Sequence, residues 1–329
     1  MPEMTVCIYE ARGDELEEIR KKSEELGLEV RVTSEVPSME NISMTDGCEG
    51  VSTLGMGKLN EELLRAWHER GVNFVSTRTV GYDHIDLDAA KKLGISVCNA
   101  AYPPDGVAEY TIMMMLLCLR HYKQALWRRQ VNDYSLGGLE GKEIGKQTVG
   151  VVGTGRIGAA VIRLLQGFGC RILAYDKYQN ESLQGLAEYV TLEELYAQSD
   201  IITLHVPLFD ETYHMINDES IAKMKDGVVI INCARGELAD AAALIRGIES
   251  GKIGELGLDT IEGEKGITHV DHKTDILQNQ SIAYLQQFKN VVITQHMAFY
   301  TDVAVKSMVD CGLEGLADMK KTGTCRTIL

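Results

Sequence analysis

Long apolar runs are missing from these 329 residues. The longest, Thr111 to Leu119 (TIMMMLLCL), is flanked by Glu109 and Arg120 and falls well short of the ~20 residues a membrane span requires. It reads as a buried helix whose methionines fill gaps, expected at an interface between domains or subunits. A basic leader is missing too. Met1-Pro2-Glu3-Met4-Thr5 has no positive region ahead of an apolar stretch, so secretion is not expected. Positive charge is scarce throughout: 33 Lys and Arg stand against 48 Asp and Glu, a formal net charge of −15. Such a balance repels phosphate backbones and anionic lipid, which argues against nucleic-acid or membrane partners. The eight cysteines (7, 48, 98, 118, 170, 233, 311 and 325) contain no CxxC pair, which suits reduced thiols in the cytoplasm. The remaining composition, 45% hydrophobic and 25% charged, is that of a folded globular chain and excludes disorder, collagen-like repeats and a coiled coil. At about 150 residues per domain the length predicts two domains.

Strand-like and helix-like stretches alternate from the start. Thr5 to Tyr9, Leu28 to Val32, Gly50 to Thr53, Asn73 to Ser76 and Ser96 to Asn99 are predicted strands. Asp14 to Leu26 and Asn60 to Glu69 are predicted helices between them. The run Tyr102-Pro103-Pro104-Asp105-Gly106 interrupts this pattern and marks a crossing between domains. A second series follows with more apolar strands: Thr148 to Val152, Arg171 to Tyr175, Ile201 to His205, Val228 to Asn232, Gly257 to Asp259 and Val291 to Thr294. Thr191 and Glu194 form a capping-box pattern, and Gly251 ends a helix from Ala239 to Ser250. The amphipathic stretch Thr301 to Met319 has no sheet of its own and is expected to pack back on the first domain. The fold class is therefore α/β. It comprises two Rossmann-like domains with parallel sheets: a flavodoxin-like substrate domain (1–101 plus 298–329) and a dinucleotide-binding domain (102–297).

Gly153-Thr154-Gly155-Arg156-Ile157-Gly158 matches GxGxxG, a weak signal alone. Here it follows a predicted strand and opens a helix reaching Phe168, the context in which backbone N–H groups and a helix N-terminus face a pyrophosphate. Asp176 ends the next strand, where its carboxylate can accept from ribose hydroxyls and repel a 2′-phosphate, so the expected cofactor is NAD. Lys177 next to it is the one feature that keeps NADP open.

Ligands of open parallel sheets lie beyond the carboxyl ends of the strands. Arg235, Glu264 and His296 each follow a predicted strand of the second series and are expected to converge on one rim. A nicotinamide enzyme acting on a carbonyl needs an acid-base group, a residue that orients it and a cation for the rest of the substrate. Histidine can give and take a proton near neutrality. A carboxylate beside it raises its pKa and fixes its tautomer. Arginine binds a carboxylate through two parallel hydrogen bonds. The trio predicts a 2-oxo acid substrate. Among the other histidines, His68 and His121 are expected within helices, His214 in a polar loop, and His205 at a strand end as a backbone-satisfying or cofactor-touching residue. The segment His269 to Asp275 carries two imidazoles and two carboxylates, but no closed ligand set is visible, and no metal is expected.

Several stretches resemble the D-isomer-specific 2-hydroxyacid dehydrogenase family: VGVVGTGRIG (149–158), the strand ending in Asp176, DIITLHVPL (200–208), NCARGELAD (232–240), GLDTIEGE (257–264) and VVITQHMAFYT (291–301). STRTVGYDHID (76–86) and NAAYPPDGVAEYT (99–111) resemble most the branch of D-lactate, vancomycin-resistance and D-2-hydroxyisocaproate dehydrogenases. The resemblance implies a cytoplasmic homodimer of two-domain subunits, with the active site in the cleft and a D-2-hydroxy acid as product. It implies that Arg235 binds the carboxylate, Glu264 partners His296 and His296 donates the proton. It further implies that Val80, Gly81 and Tyr102 touch the substrate, and that Val206, Pro207, Cys233 and Asp259 line the cofactor site. One departure is Gln295, where the family usually has proline before the histidine; it frees φ and adds an N–H. Rival readings are a bulkier 2-oxo acid, an NAD-sensing corepressor-like protein, and dehydrogenation of 3-phosphoglycerate or formate. No basic phosphate cluster or further interaction segment supports the last three.

Overall fold

The computed structural model describes residues 3–329. It divides into two compact units, one formed by the chain up to Pro103 together with Tyr300–Leu329, the other by Pro104–Phe299.

In the first unit the chain runs β1 (Met4–Ile8), α1 (Leu16–Leu26), β2 (Leu28–Val32), β3 (Gly50–Thr53), α2 (Glu61–His68), β4 (Phe74–Thr77), α3 (Leu87–Leu93) and β5 (Ser96–Cys98). The strands pair in parallel in the order β2-β1-β3-β4-β5, the flavodoxin-type order. Asn60 and Asp86 cap α2 and α3 by accepting from Leu63 N and Ala89 N, which fixes where those helices begin. A buried Arg78–Glu15 pair at 3.0 Å, both side chains fully enclosed, ties the turn after β4 to the turn after β1. Its remaining donors reach Ser52 Oγ and the carbonyls of Tyr9 and Glu10, so the charge is compensated on every side.

The second unit contains α4 (Asp105–Leu119), α5 (Tyr122–Gln130), β6 (Thr148–Val152), α6 (Arg156–Leu165), β7 (Arg171–Tyr175), β8 (Glu188–Tyr189), α7 (Leu192–Gln198), β9 (Ile201–Leu204), α8 (Asp218–Lys223), β10 (Val228–Asn232), α9 (Ala241–Ser250), β11 (Ile253–Leu258), α10 (Gln280–Leu285) and β12 (Val291–Ile293). Its seven strands, in the order β12-β11-β10-β9-β6-β7-β8, are parallel, with β6 and β9 at the point where the strand order reverses. The last helix, α11 (Asp302–Thr322), joins the first unit and packs on α1 and β4, as its lone amphipathic face requires.

Several elements differ from the sequence reading. β11 starts at Ile253 rather than Gly257, because Glu255 breaks the apolar pattern yet lies buried within the strand. β8, α5, α8 and α10 carry no strong periodicity and were not anticipated. The Pro103-Pro104-Asp105-Gly106 run opens α4 directly, with Pro104 at its cap, a position that tolerates a missing N–H. Helix α4 packs on α6, β10 and β11, so Met114 and Met115 fill the core of this unit while Met113 is exposed; Gly257, lacking a Cβ, leaves room for Cys118 and Met114. His121 is not inside a helix. It breaks α4 from α5 with φ +50°.

Candidate active site

The sequence-predicted residues of the second unit lie in the connections after its strands or in the first turn of α6. The glycine loop connects β6 to α6. Gly153 has φ +95°, and a Cβ there would stand 2.6 Å from His205 O. At Gly158 a Cβ would stand 1.9 Å from Gly153 O, so only glycine lets α6 start this close to the strand. Around Gly155, by contrast, no atom lies within 4 Å of a Cβ position, which leaves the face for a phosphate open. Asp176 Oδ2 accepts from Thr154 N at 2.6 Å and Thr154 Oγ1 at 3.0 Å, so the carboxylate that faces a ribose also holds the glycine turn. Arg156 and Ile157 open α6. Lys177, next to Asp176, pairs with Glu211 at 3.3 Å. These residues fit an NAD molecule.

After β9 come His205, Val206 and Pro207. His205 lies with Nε2 3.0 Å from Thr203 Oγ1, and burial drives its pKa down to about 3. Burial thus favours the neutral ring, whose Nε2 meets a hydroxyl. After β10, burial pushes the Cys233 thiol up to about 12, so Cys233 can line a site but is no nucleophile.

Arg235 stands in the turn after β10, half-buried. Asn232 shapes that turn: its Nδ2 donates to Arg235 O at 2.7 Å and its Oδ1 accepts from Ala234 N at 3.0 Å. At Gly236 a Cβ would stand 2.1 Å from the carbonyl carbon of Ile261, so the turn after β10 lies directly on the turn after β11 that carries Glu264. Asn232 and Gly236 were not singled out from sequence, although a polar residue ending an apolar strand was a signal.

The Glu264 carboxylate reaches His296, with Oε1 2.7 Å from Nδ1 and Oε2 accepting from Ile261 N at 3.2 Å. With a carboxylate on Nδ1, that nitrogen carries the proton. Nε2 has no hydrogen-bond partner among the described residues, and the side chain is about 30% exposed. Burial pulls the imidazole pKa down, but the hydrogen bond and charge of Glu264, helped by Asp259, outweigh it; the Arg235 guanidinium opposes them. The net result lies above the ordinary histidine value, which keeps the ring protonated further into neutral pH.

Asp259 is 1% exposed, and its carboxylate works on the protein itself. It accepts from Thr294 Oγ1 at 2.6 Å, Met297 N at 2.9 Å and Ala298 N at 2.8 Å, while Asp259 O accepts from His296 N at 2.9 Å. The structure therefore shows Asp259 clamping the 294–298 segment in addition to any contact with a cofactor. Thr294 belongs to this clamp and was missed from sequence. His214 pairs with Glu262 at 2.7 Å, and His272 with Asp275 at 3.2 Å. Among the described residues no group of three or more His, Cys, Asp or Glu side chains is placed to hold a metal ion.

In the first unit, Val80 and Gly81 lie in the turn after β4. Asn99 Nδ2 donates to Val80 O and Thr79 Oγ1 to Gly81 O, both at 2.7 Å. Tyr102 is half-buried near the end of that unit.

Residues 112–298 match the family described as D-isomer specific 2-hydroxyacid dehydrogenase, NAD binding domain. The chain is 43% identical to an aromatic 2-oxoacid reductase of Clostridium sporogenes over 325 residues, 98% of each protein. It is 35% identical to the D-lactate dehydrogenase of Escherichia coli over 324 residues, again 98% of each. Among solved structures, D-2-hydroxyisocaproate dehydrogenase superposes with a TM-score of 0.89 at 34% identity, covering 99% of both chains. The protein thus belongs to the D-isomer-specific 2-hydroxyacid dehydrogenases, a family of NAD-dependent oxidoreductases.

Proposed function

We propose that the protein reduces a small 2-oxo acid to the D-2-hydroxy acid, reversibly and with NADH. The observation that carries this reading is the 2.7 Å Glu264–His296 contact, which holds Nδ1 and leaves Nε2 open, with the charge of Arg235 close enough to act on the same ring. Gly153, Thr154, Gly155, Arg156, Ile157, Gly158 and Asp176 hold the cofactor, and Val206, Pro207, Cys233 and Asp259 border it. NADH, when bound, supplies the hydride for C2. Arg235 grips the substrate carboxylate through paired N–H donors and polarises the adjacent carbonyl. His296, doubly protonated, gives the Nε2 proton to the carbonyl oxygen, and Glu264 stabilises the imidazolium beforehand and keeps Nδ1–H in place afterwards. In the oxidative direction the neutral ring takes that proton back. Val80, Gly81 and Tyr102 contribute substrate contacts in this reading. The 43% identical relative, named for aromatic 2-oxo acids, favours a second reading in which the side chain is aromatic or branched rather than a methyl group.

The protein acts as a homodimer in the cytoplasm. In support, Leu126, Trp127, Val131, Tyr134 and Leu136 lie exposed within and just after α5, an apolar surface suited to a second copy. All eight cysteines are free thiols, as a reducing compartment favours, and no helix among the described residues is long and apolar enough to cross a membrane. A panel of 2-oxo acids assayed with NADH and NADPH, with chiral analysis of the product, tests the reaction. Absence of NADH oxidation with every acid overturns it, and sedimentation equilibrium tests the dimer.

A further inference from the structure

His296 occupies a backbone conformation that side chains other than glycine seldom adopt, with φ +55°. Such a residue persists only where its surroundings fix it. One restraint is already named: His296 N donates to Asp259 O at 2.9 Å. The other comes from the irregular segment that follows β11. There His269 Nε2 lies 3.1 Å from His296 O, which makes it the donor to that carbonyl. The His269 ring stands 6.1 Å from the His296 ring and meets the ring of Phe299 edge-on at 6.2 Å. The same segment thus grips His296 twice, by the Glu264 carboxylate on the ring and the His269 imidazole on the main chain.

We infer that His269 is a positioning residue for proton transfer, holding the peptide after His296 so that Nδ1 stays on Glu264 and Nε2 stays directed at the substrate carbonyl. This inference depends on the reaction proposed above. The physical reason is leverage. The peptide bond after His296 sets the direction of its Cα–Cβ bond, and a misplacement of about 1 Å at a proton donor can cost on the order of a hundredfold in rate. An N–H donor on the His296 carbonyl fixes that peptide. Among the described residues, Glu264 and His269 from the segment after β11, Asp259 just past the end of β11, and Arg235 after β10 act on His296.

Two variants and two readouts test this in the full-length protein. His269→Ala removes the donor and is expected to lower kcat for 2-oxo acid reduction by about tenfold, with the Kd for NADH, read by fluorescence titration, unchanged. His269→Gln carries an amide N–H at a similar reach and is expected to recover kcat to within about threefold of the parent. In parallel, long-range ¹H–¹⁵N spectra of the histidines are expected to show a single Nδ1–H tautomer for His296 in the parent and exchange broadening in His269→Ala. A fall of less than about threefold in His269→Ala, or a His269→Gln variant no more active than His269→Ala, overturns the inference. A parent that oxidises NADH with no 2-oxo acid overturns the proposed reaction instead, and the spectra still decide whether His269 fixes His296.

Discussion

Two of the histidine–glutamate pairs in the second unit engage the ring through Nδ1, with nearly equal geometry and opposite consequence. Glu264 reaches His296 Nδ1 at 2.7 Å, and Glu255 reaches His121 Nδ1 at 2.8 Å. At His296 the partner shifts the imidazole upward and Nε2 is left open. At His121 the second nitrogen is also occupied, lying 3.0 Å from Glu140 O, and the perturbed group is the carboxyl. Burial within β11 pushes Glu255 up to about 8, with Lys142 and Lys289 opposing. The same two side chains therefore make an acid-base site when the carboxylate sits in a loop and the ring has a free nitrogen. They make a structural clasp when the carboxyl is buried in a strand and the ring is satisfied at both ends. Hydrogen-bond capacity and burial, not residue identity, separate the two.

The comparison is broken most severely at His296. His296→Ala is expected to lower kcat by about a thousandfold with NADH affinity intact, measured by steady-state kinetics beside calorimetry. Glu264→Gln keeps a hydrogen-bond partner but removes the charge, and about a tenfold to hundredfold loss of kcat/KM is expected. Its sign in pH is definite. Reduction needs the protonated ring, so the rate falls as pH rises through the His296 pKa. Because Glu264 raises that pKa, the variant's decline begins at lower pH, and in the oxidative direction its rise begins at lower pH as well.

The His121 pair is expected to answer in stability, not turnover. Glu255 is held above its ordinary 4.5, at about 8. A folded pKa raised in this way contributes stability that is fully present below about pH 4.5 and is lost as pH rises through about 8. Glu255→Gln removes the titration, so its melting temperature is expected to vary less than the parent's across that window, with kcat unchanged. The smallest effect belongs to His121→Asn. Asparagine tolerates the left-handed backbone, and the loss is about 1 kcal/mol, the scale of one hydrogen bond. Loss of turnover in either variant would merge the two pairs into one functional class.

Much of the fold was legible because its signals are local. Thr148–Val152 and Arg171–Tyr175 are apolar runs between turn residues, and they form strands with those same limits. The Thr191–Glu194 capping box is present as read. Ile253 and Glu255, by contrast, lie outside the strand expected from Gly257 onward and are buried in β11, where Glu255 meets a partner 134 residues away in sequence, His121. Sequence proximity carries no record of such a partner.

By itself, then, the sequence determined the alternation of strands and helices, the glycine loop with Asp176 beyond the next strand, and the placement of Arg235, Glu264 and His296 after strand ends, since periodicity and chain order specify all three. The tertiary structure alone decided which imidazole nitrogen meets Glu264, that Asp259 clamps the 294–298 segment, that Gly236 seats one turn on another, and that His269 supports the main chain of His296. Those outcomes depend on parallel strand register, which brings residues dozens of positions apart to within hydrogen-bond distance and burial that no single segment encodes.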